Sequence, residues 1–240
     1  MKSTLTNLAK FALVFVLVFI ANASTGANYY AYKSKQVTIN GGGTFTEYKW
    51  ILVTQPNGTT NEAITGQTTS ALTQTFTDEG QYKLRLQVKN ADGCWSDVDT
   101  NTDIDIFVLP DFTVTVAPDG LIPASYCTNA DAANRTSLKA TATITGALTL
   151  PSDVTIALSD WYKTPSTGDI TALTAVATGT NPYLLTETTV GSHYYVATGK
   201  YNIPTGRLIS AANAAVKSTA TTITINAAPT TPTITPVAVN

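Results

Sequence analysis

Charged side chains, histidine and cysteine are all scarce in this sequence. Charged residues make up 12% of its 240 positions, and there are one histidine and two cysteines. Soluble domains commonly carry about 25% charged residues, so the surface of this protein must be largely neutral and polar. The formal net charge is −2, which provides no strongly basic patch and therefore argues against nucleic-acid binding.

The same scarcity limits the chemistry that the chain can perform. His193 has no second histidine and no cysteine pair at ligand spacing, as a zinc site would require, and we interpret it as a structural or surface residue. No Gly-x-Ser-x-Gly stretch indicates a serine hydrolase, and no glycine-rich loop leads into a helix as phosphate binding requires. We therefore expect no catalytic residues, and a hydrolase is the weakest of the functional classes considered.

Long apolar segments are also absent after the N-terminus. Lys2 and Lys10 accompany ten apolar residues at 11–20, FALVFVLVFI, and Ala21, Asn22 and Ala23 then supply an A-x-A cleavage site. The apolar run is shorter than the roughly 20 residues of a membrane span, and the pattern is typical of a secretory signal peptide. We predict a signal peptide at 1–23, no membrane span after its cleavage, and export to the periplasm, the outer surface or the extracellular medium.

Strand-like alternation dominates the remainder of the sequence. The segment GQYKLRLQVK at 80–89 places apolar and polar residues at alternate positions, as a strand with one buried face requires. Similar segments, broken by Gly, Pro, Asn and Asp, predict strands at 36–40, 47–54, 71–76, 81–90, 103–109, 112–117, 137–145, 154–158, 184–189, 193–198 and 219–226. Many short strands separated by turn signals are typical of an all-β sandwich or barrel.

A boundary between two modules is predicted at VLPDF, residues 108–112, because Pro110 interrupts a strand ladder there and a new strand pattern follows. The first module is placed at 27–109 and the second at 111–227. The remaining residues, 228–240, form a Thr/Pro-rich tail whose prolines favour an extended spacer or linker.

The first module contains two distinctive motifs, YKW at 48–50, which contains Trp50, and DEGQYKLRLQVKNADGC at 78–94. These motifs resemble those of PKD (polycystic kidney disease) domains in secreted and cell-surface proteins of the Bacteroidota. The second module is similar to the same class more loosely, through SDWYK at 159–163 and VGSHYYVATG at 190–199. The resemblance implies two tandem immunoglobulin/PKD-like β-sandwiches, used as spacer, adhesive or recognition units in exported proteins.

We therefore expect a non-enzymatic, exported structural or protein-interaction component of the cell envelope or surface, with envelope or surface proteins as partners. The alternative is a carbohydrate-binding or adhesin module with glycans as ligands. Tyr29, Tyr30 and Tyr32 follow the signal peptide closely, and tyrosine is common in binding sites. These three residues either contact a partner or form an entry strand that packs on the first module.

An acidic segment offers one candidate metal site. Acidic or amide side chains occupy every second position from 97 to 105, and the candidate calcium ligands are Asp97, Asp99, Asn101 and Asp103. The D-x-D-x-N spacing begins like an EF-hand loop, but Thr102 stands where the sharp turn of that loop needs glycine. We interpret the segment as the polar face of a strand and expect no metal or cofactor, with calcium binding as the alternative.

Cys94 and Cys127 fall in different predicted modules. Exported proteins often pair their cysteines, but a disulfide needs Cα atoms within about 7 Å. We predict that the two thiols do not bond to each other and are either free or linked to a partner chain.

If the acidic segment is only a polar strand face, millimolar Ca²⁺ should leave the melting temperature of the protein unchanged, because no set of oxygen ligands is then arranged around an ion. Thermal unfolding followed by circular dichroism with Ca²⁺ or with EDTA measures this. A saturable stabilisation that disappears in the Asp99→Asn variant would instead show that the segment binds calcium.

Overall fold

A computed structural model describes residues 28–96, 103–120 and 123–233. The predicted signal peptide and the end of the Thr/Pro-rich tail lie outside these ranges. The described residues form β-strands, numbered β1 to β15 below, and one 3₁₀ turn at Ala132–Asn134. Within this part of the chain, no helix has the length and apolar character needed to cross a membrane.

The chain folds into two compact units. Unit 1 contains the residues up to Leu109 together with Thr149–Thr155 and Ile203–Ala211, whereas unit 2 contains Pro110–Leu148, Ile156–Asn202 and the residues from Ala212 onward. The polypeptide thus returns to unit 1 twice after first leaving it.

Unit 1 is built from two β-sheets. Its strands are β1 (Tyr29–Tyr32), β2 (Gln36–Asn40), β3 (Glu47–Gln55), β4 (Gly58–Ala63), β5 (Ala71–Thr75), β6 (Gly80–Lys89) and β7 (Ile104–Leu109). One sheet has the order β1-β7-β6-β3-β4 and the other consists of β2 and β5. Strand β1 pairs in parallel with β7, and the other pairs are antiparallel. Two sheets with this non-sequential order form an immunoglobulin-like sandwich.

The core of unit 1 lies between the two sheets and is centred on Trp50. The largest of its fully buried side chains are Val37, Trp50, Leu72, Leu84 and Ile106. Leu84 is buried because the alternation along β6 turns every second residue of that strand inward. The indole N–H of Trp50 donates a hydrogen bond of 3.1 Å to the carbonyl oxygen of Thr69, so burial leaves this polar group satisfied.

Strand β6 begins with a tyrosine corner. The hydroxyl of Tyr82 donates a hydrogen bond of 3.2 Å to the backbone carbonyl of Asp78, four residues earlier. The Tyr82 ring lies against Phe76, with ring centroids 4.5 Å apart. A tyrosine near the start of this strand that bonds back to the preceding backbone is a hallmark of immunoglobulin-like sandwiches.

A short segment near residue 208 closes one lateral edge of unit 1. Leu208 forms a parallel bridge with Tyr30 of β1, and Ser210 forms an antiparallel bridge with Val37 of β2. The backbone of Tyr30 also accepts a hydrogen bond of 2.9 Å from the N–H of Ile209 and donates one of 2.8 Å to the carbonyl of Arg207. Residues 207–210 therefore join the two edge strands β1 and β2.

Unit 2 has the same general plan. Its strands are β8 (Phe112–Pro118), β9 (Ser125–Cys127), β10 (Ser137–Ile144), β11 (Thr155–Thr164), β12 (Tyr183–Leu184), β13 (Gly191–Asn202), β14 (Val216–Lys217) and β15 (Thr221–Asn226). One sheet has the order β12-β10-β8 and the other the order β11-β13-β15-β9, with β14 paired to β13. Strand β9 runs parallel to β15, as β1 runs parallel to β7 in unit 1.

Both units bury a tryptophan with the same hydrogen bond. Trp161 of β11 is fully buried, and its indole N–H donates a bond of 2.8 Å to the carbonyl of Thr180. In each unit the acceptor is a threonine 19 residues after the tryptophan. Sheet order, tyrosine corner and buried tryptophans together confirm the prediction of an all-β, immunoglobulin-like fold.

Replacing Trp50 by alanine should lower the free energy of unfolding of unit 1 by about 3–5 kcal/mol, because it leaves a cavity where the largest core side chain was. Urea unfolding followed by tryptophan fluorescence and circular dichroism measures the loss. The full chain is the right sample, since unit 1 includes Thr149–Thr155 and Ile203–Ala211.

Trp95 provides the matched control, because it is the same residue type in the same unit but is 42% exposed. The Trp95→Ala variant should change the free energy of unfolding by no more than about 0.5 kcal/mol. Equal losses for the two variants would contradict the assignment of Trp50 as the centre of the core.

Candidate functional site

A cleft of about 500 Å³ opens in unit 1 beside the first strand. It brings together Tyr29 and Asp103, which belong to two separate motifs of the sequence. Their meeting follows from the parallel pairing of β1 with β7, in which Tyr29 lies opposite Ile106. The described lining residues of the cleft are Asn28, Tyr29, Asp103, Ile104, Thr205, Gly206 and Arg207.

The three candidate tyrosines lie in different environments. Tyr29 is 37% exposed at the cleft, whereas Tyr30 is fully buried and Tyr32 nearly so. Burial follows from the position of β1, which has β7 on one side and residues 207–209 on the other. The backbone N–H of Tyr32 additionally donates to the Ser210 hydroxyl at 2.9 Å. Of the three side chains, that of Tyr29 is the most accessible to a partner.

Behind the cleft, one carboxylate binds two partners. The hydroxyl of Tyr30 donates to Oδ1 of Asp153 at 2.5 Å, and Nη1 of Arg207 donates to Oδ2 of the same residue at 2.5 Å. Burial has the largest effect on the pKa of the Tyr30 hydroxyl, and the hydrogen bond to Asp153 the next largest; both raise it above its ordinary value of 10. The Tyr30 hydroxyl is therefore protonated and donates its hydrogen bond at neutral pH. The bond from Nη1 to Asp153 holds the side chain of Arg207, a residue that lines the cleft.

Asp103 is held in a second ion pair. Its carboxylate accepts hydrogen bonds of 2.6 Å from Nε and 2.8 Å from Nη2 of Arg85 on β6. The two side chains are 11% and 6% exposed for Arg85 and Asp103, respectively. The hydrogen bonds from Arg85 lower the pKa of Asp103 below its ordinary value, as expected for a charge-assisted, bidentate pair.

The other predicted calcium ligands, Asp97, Asp99 and Asn101, lie outside the described residues. Asp103 is the described member of the set, and its carboxylate binds Arg85. Across the ranges that the structure describes, no three His, Cys, Asp or Glu side chains are grouped to hold a metal ion. The expectation that this segment binds no metal stays a prediction, with calcium binding as its alternative. In the structure Cys94 and Cys127 are free thiols, of which Cys94 is exposed.

In unit 2, a charged cluster is formed around Glu187. Its carboxylate pairs with Lys163, and hydrogen bonds from Lys163 and the backbone of Thr189 lower the pKa of Glu187 to about 2. The Tyr126 hydroxyl donates to the Glu187 carbonyl at 2.5 Å. His193 contacts the Thr189 carbonyl through Nε2 at 2.7 Å, which is consistent with a structural role for this histidine.

Three charged residues of the site were not identified from the sequence: Arg85, Asp153 and Arg207. Arg85 belongs to the polar face of β6, where its sequence position does not reveal a buried partner. Asp153 and Arg207 fall within the second predicted module, and only the return of the chain to unit 1 places them behind and beside Tyr29.

This arrangement is suited to recognition. The described lining offers an aromatic ring, an amide, a hydroxyl, a carboxylate and a guanidinium, while the Arg207 and Asp103 charges are already fixed by ion pairs. A surface whose polar groups are held in place before binding loses less conformational entropy when a ligand arrives.

Comparisons with known proteins identify no family for this chain. No family model matches the sequence, and neither does any curated protein. Among solved structures, the fibronectin(III)-like modules of Clostridium thermocellum CbhA are 14% identical, with a TM-score of 0.35, and the match covers 85% of this chain and 92% of theirs.

Two further structures have comparable similarity. The three N-terminal domains of the bacteriophage RB49 Highly Immunogenic Outer Capsid protein are 16% identical, with a TM-score of 0.40, over 85% of this chain and 69% of theirs. The complex of Dpr2 Ig1-Ig2 with DIP-Theta Ig1-Ig3 gives 13% identity and a TM-score of 0.25, over 86% of this chain and 63% of the matched chain. At these TM-scores the matches support no conclusion about the fold or the function of this chain.

The Asp103→Asn variant should lose about 1.5–3 kcal/mol of unfolding free energy at neutral pH, because its two hydrogen bonds with the Arg85 guanidinium lose their charge assistance. The folded-state pKa of Asp103 is lowered, so this contribution is present above the ordinary value of 3.8 and disappears as the pH falls through the lower folded value. Urea unfolding of the variant and the unmodified protein should be measured from neutral to acidic pH. The difference between their free energies of unfolding should become smaller below about pH 4.

Asp105→Asn is the control, two residues further along the chain in β7. Asp105 pairs with Lys83 at 3.4 Å, and both side chains are about one-third exposed, so its loss should cost less than about 1 kcal/mol. A loss as small as this for Asp103→Asn would contradict the importance assigned to the buried pair.

Proposed function

We propose that this chain is an exported, non-enzymatic structural or protein-interaction component of the cell envelope or surface. Two immunoglobulin-like units, each with ionisable groups held in structural pairs, support this reading. The N-terminal A-x-A pattern supports cleavage after residue 23. The periplasm, the outer surface and the extracellular medium are the proposed locations.

The observation that carries the proposal is the position of Tyr29. This side chain lies exposed on a cleft whose neighbouring charges, Arg207 and Asp103, are fixed by Asp153 and Arg85. Tyrosine and arginine are enriched among the residues that dominate the energy of protein interfaces. A protein partner that covers Tyr29 would also contact Arg207, which lines the same cleft.

One feature of the cleft favours glycan binding as a second candidate function. Besides Tyr29, the cleft is lined by Asn28 and Thr205, residue types whose side chains carry hydrogen-bonding groups. A pocket that combines an apolar surface with a few polar groups can fix the orientation of a small ligand.

The sequence resemblance completes the proposal. We assign the module at 27–109 to the PKD-like type, the module at 111–227 to the broader immunoglobulin-like class, and residues 228–240 to a linker. The motifs around Trp50 and Tyr82 support the first assignment, since both residues take their expected places in the core.

Photocrosslinking tests the proposal in the cells that produce the protein. A benzoylphenylalanine at position 29 should form adducts with a defined envelope or surface protein, because the side chain at this position lies at the proposed interface. The matched control is the same substitution at Leu173 in unit 2, which is 39% exposed and therefore about as accessible as Tyr29 at 37%. Mass spectrometry identifies the adducts.

Adducts formed equally from both positions would contradict an interface at Tyr29. Binding of the purified protein to a glycan array that is lost in Tyr29→Ala, without any protein adduct in cells, would overturn the protein-partner proposal in favour of the glycan one.

A further inference from the structure

Unit 1 has a second cleft at a different edge of its sandwich. Residues 207–210 join β1 to β2, so that edge is closed. Strands β4 and β5 are also terminal strands of their sheets, and a cleft of about 300 Å³ opens between them. Terminal strands present backbone groups that can pair with a further strand.

The floor of this cleft is apolar and partly aromatic. It is formed by Leu52, Ile64, Phe76 and Tyr82. The rings of Phe76 and Tyr82 are tilted against each other with centroids 4.5 Å apart, and both side chains are largely buried. Such a floor favours the hydrocarbon part of a ligand.

The rim of the cleft is acidic. It carries the carboxylates of Glu62 and Asp78, and the described lining includes no lysine or arginine. The Asp78 carboxylate accepts a hydrogen bond of 3.2 Å from the side-chain amide of Asn57, a neutral donor that leaves the negative charge in place. Both charged side chains that line the cleft are therefore acidic, and they favour a cationic group over an anionic one.

We propose that this β4–β5 cleft binds an extended segment of a partner protein that carries a lysine or arginine between apolar residues. The stem of the basic side chain would contact the apolar floor while its cationic end reaches Glu62 and Asp78, as long basic side chains do when their stems are buried. Extended backbone on either side would lie along β4 by strand addition.

The inference rests on different residues from the Tyr29 cleft, so either can fail alone. The test uses the full chain labelled with ¹⁵N and a capped synthetic peptide with the residue order threonine, valine, lysine, valine, threonine. Amide shifts of β4 and β5 should change saturably with this peptide. The same peptide with glutamate in place of lysine should bind about twofold to fivefold more weakly. This is the change in dissociation constant that the loss of one exposed ion pair produces.

Charge reversal sharpens the test. Glu62→Lys should weaken binding of the lysine peptide and strengthen binding of the glutamate peptide, because it reverses the sign of one rim charge. Asp92→Lys makes the same change at an exposed turn of unit 1 that does not line the cleft, and it should alter neither affinity. Circular dichroism of each variant establishes that it is folded.

Three outcomes would overturn the proposal. The first is the absence of saturable amide shifts up to about 10 mM lysine peptide, which corresponds to a binding free energy weaker than about 3 kcal/mol. The second is equal affinity for the two peptides. The third is a set of amide shifts confined to residues away from β4 and β5.

Discussion

The organisation of unit 1 depends on the two hydrogen bonds that the carboxylate of Asp153 accepts. This carboxylate binds Tyr30, 123 positions earlier, and Arg207, 54 positions later, so three distant stretches of the chain meet at one acidic group. A tyrosine that is completely buried needs a hydrogen-bond partner for its hydroxyl, because an unsatisfied polar group in the interior is costly. Asp153 provides that partner and neutralises the neighbouring guanidinium at the same time.

The candidate binding surface follows from this constraint. Because Tyr30 is fixed inward, its neighbour Tyr29 is directed to the opposite face of β1, as alternation in a strand requires, and it remains 37% exposed. Thr205, Gly206 and Arg207 form the other wall of the cleft, and they are in place because the backbone near Arg207 bonds to Tyr30. The backbone contacts between Tyr30 and residues 207–209 therefore cover the edge of β1 and also form one wall of the proposed recognition site.

Much of the fold could be predicted from the sequence where burial acts locally. The alternation of β6 and the large apolar side chain of Trp50 indicated strands with one buried face, and both are in the core. Strand β4 was missed because it is a terminal strand whose segment, GTTNEA, is polar and has no apolar alternation. The Asp153–Arg207 pair could not be predicted, since nothing in the local pattern around either residue reports a partner 54 positions away.

The return of the chain to unit 1 has a consequence for biosynthesis. Residues 207–210 bridge strands β1 and β2. They are made roughly 100 residues after β7, an interval of about 5–20 s at ordinary rates of translation. Throughout that interval the N-terminal sandwich exists with one lateral edge uncovered, although its seven strands have all been synthesised. Unit 1 therefore cannot complete its structure before most of unit 2 has been synthesised, unlike an N-terminal domain formed from one continuous segment.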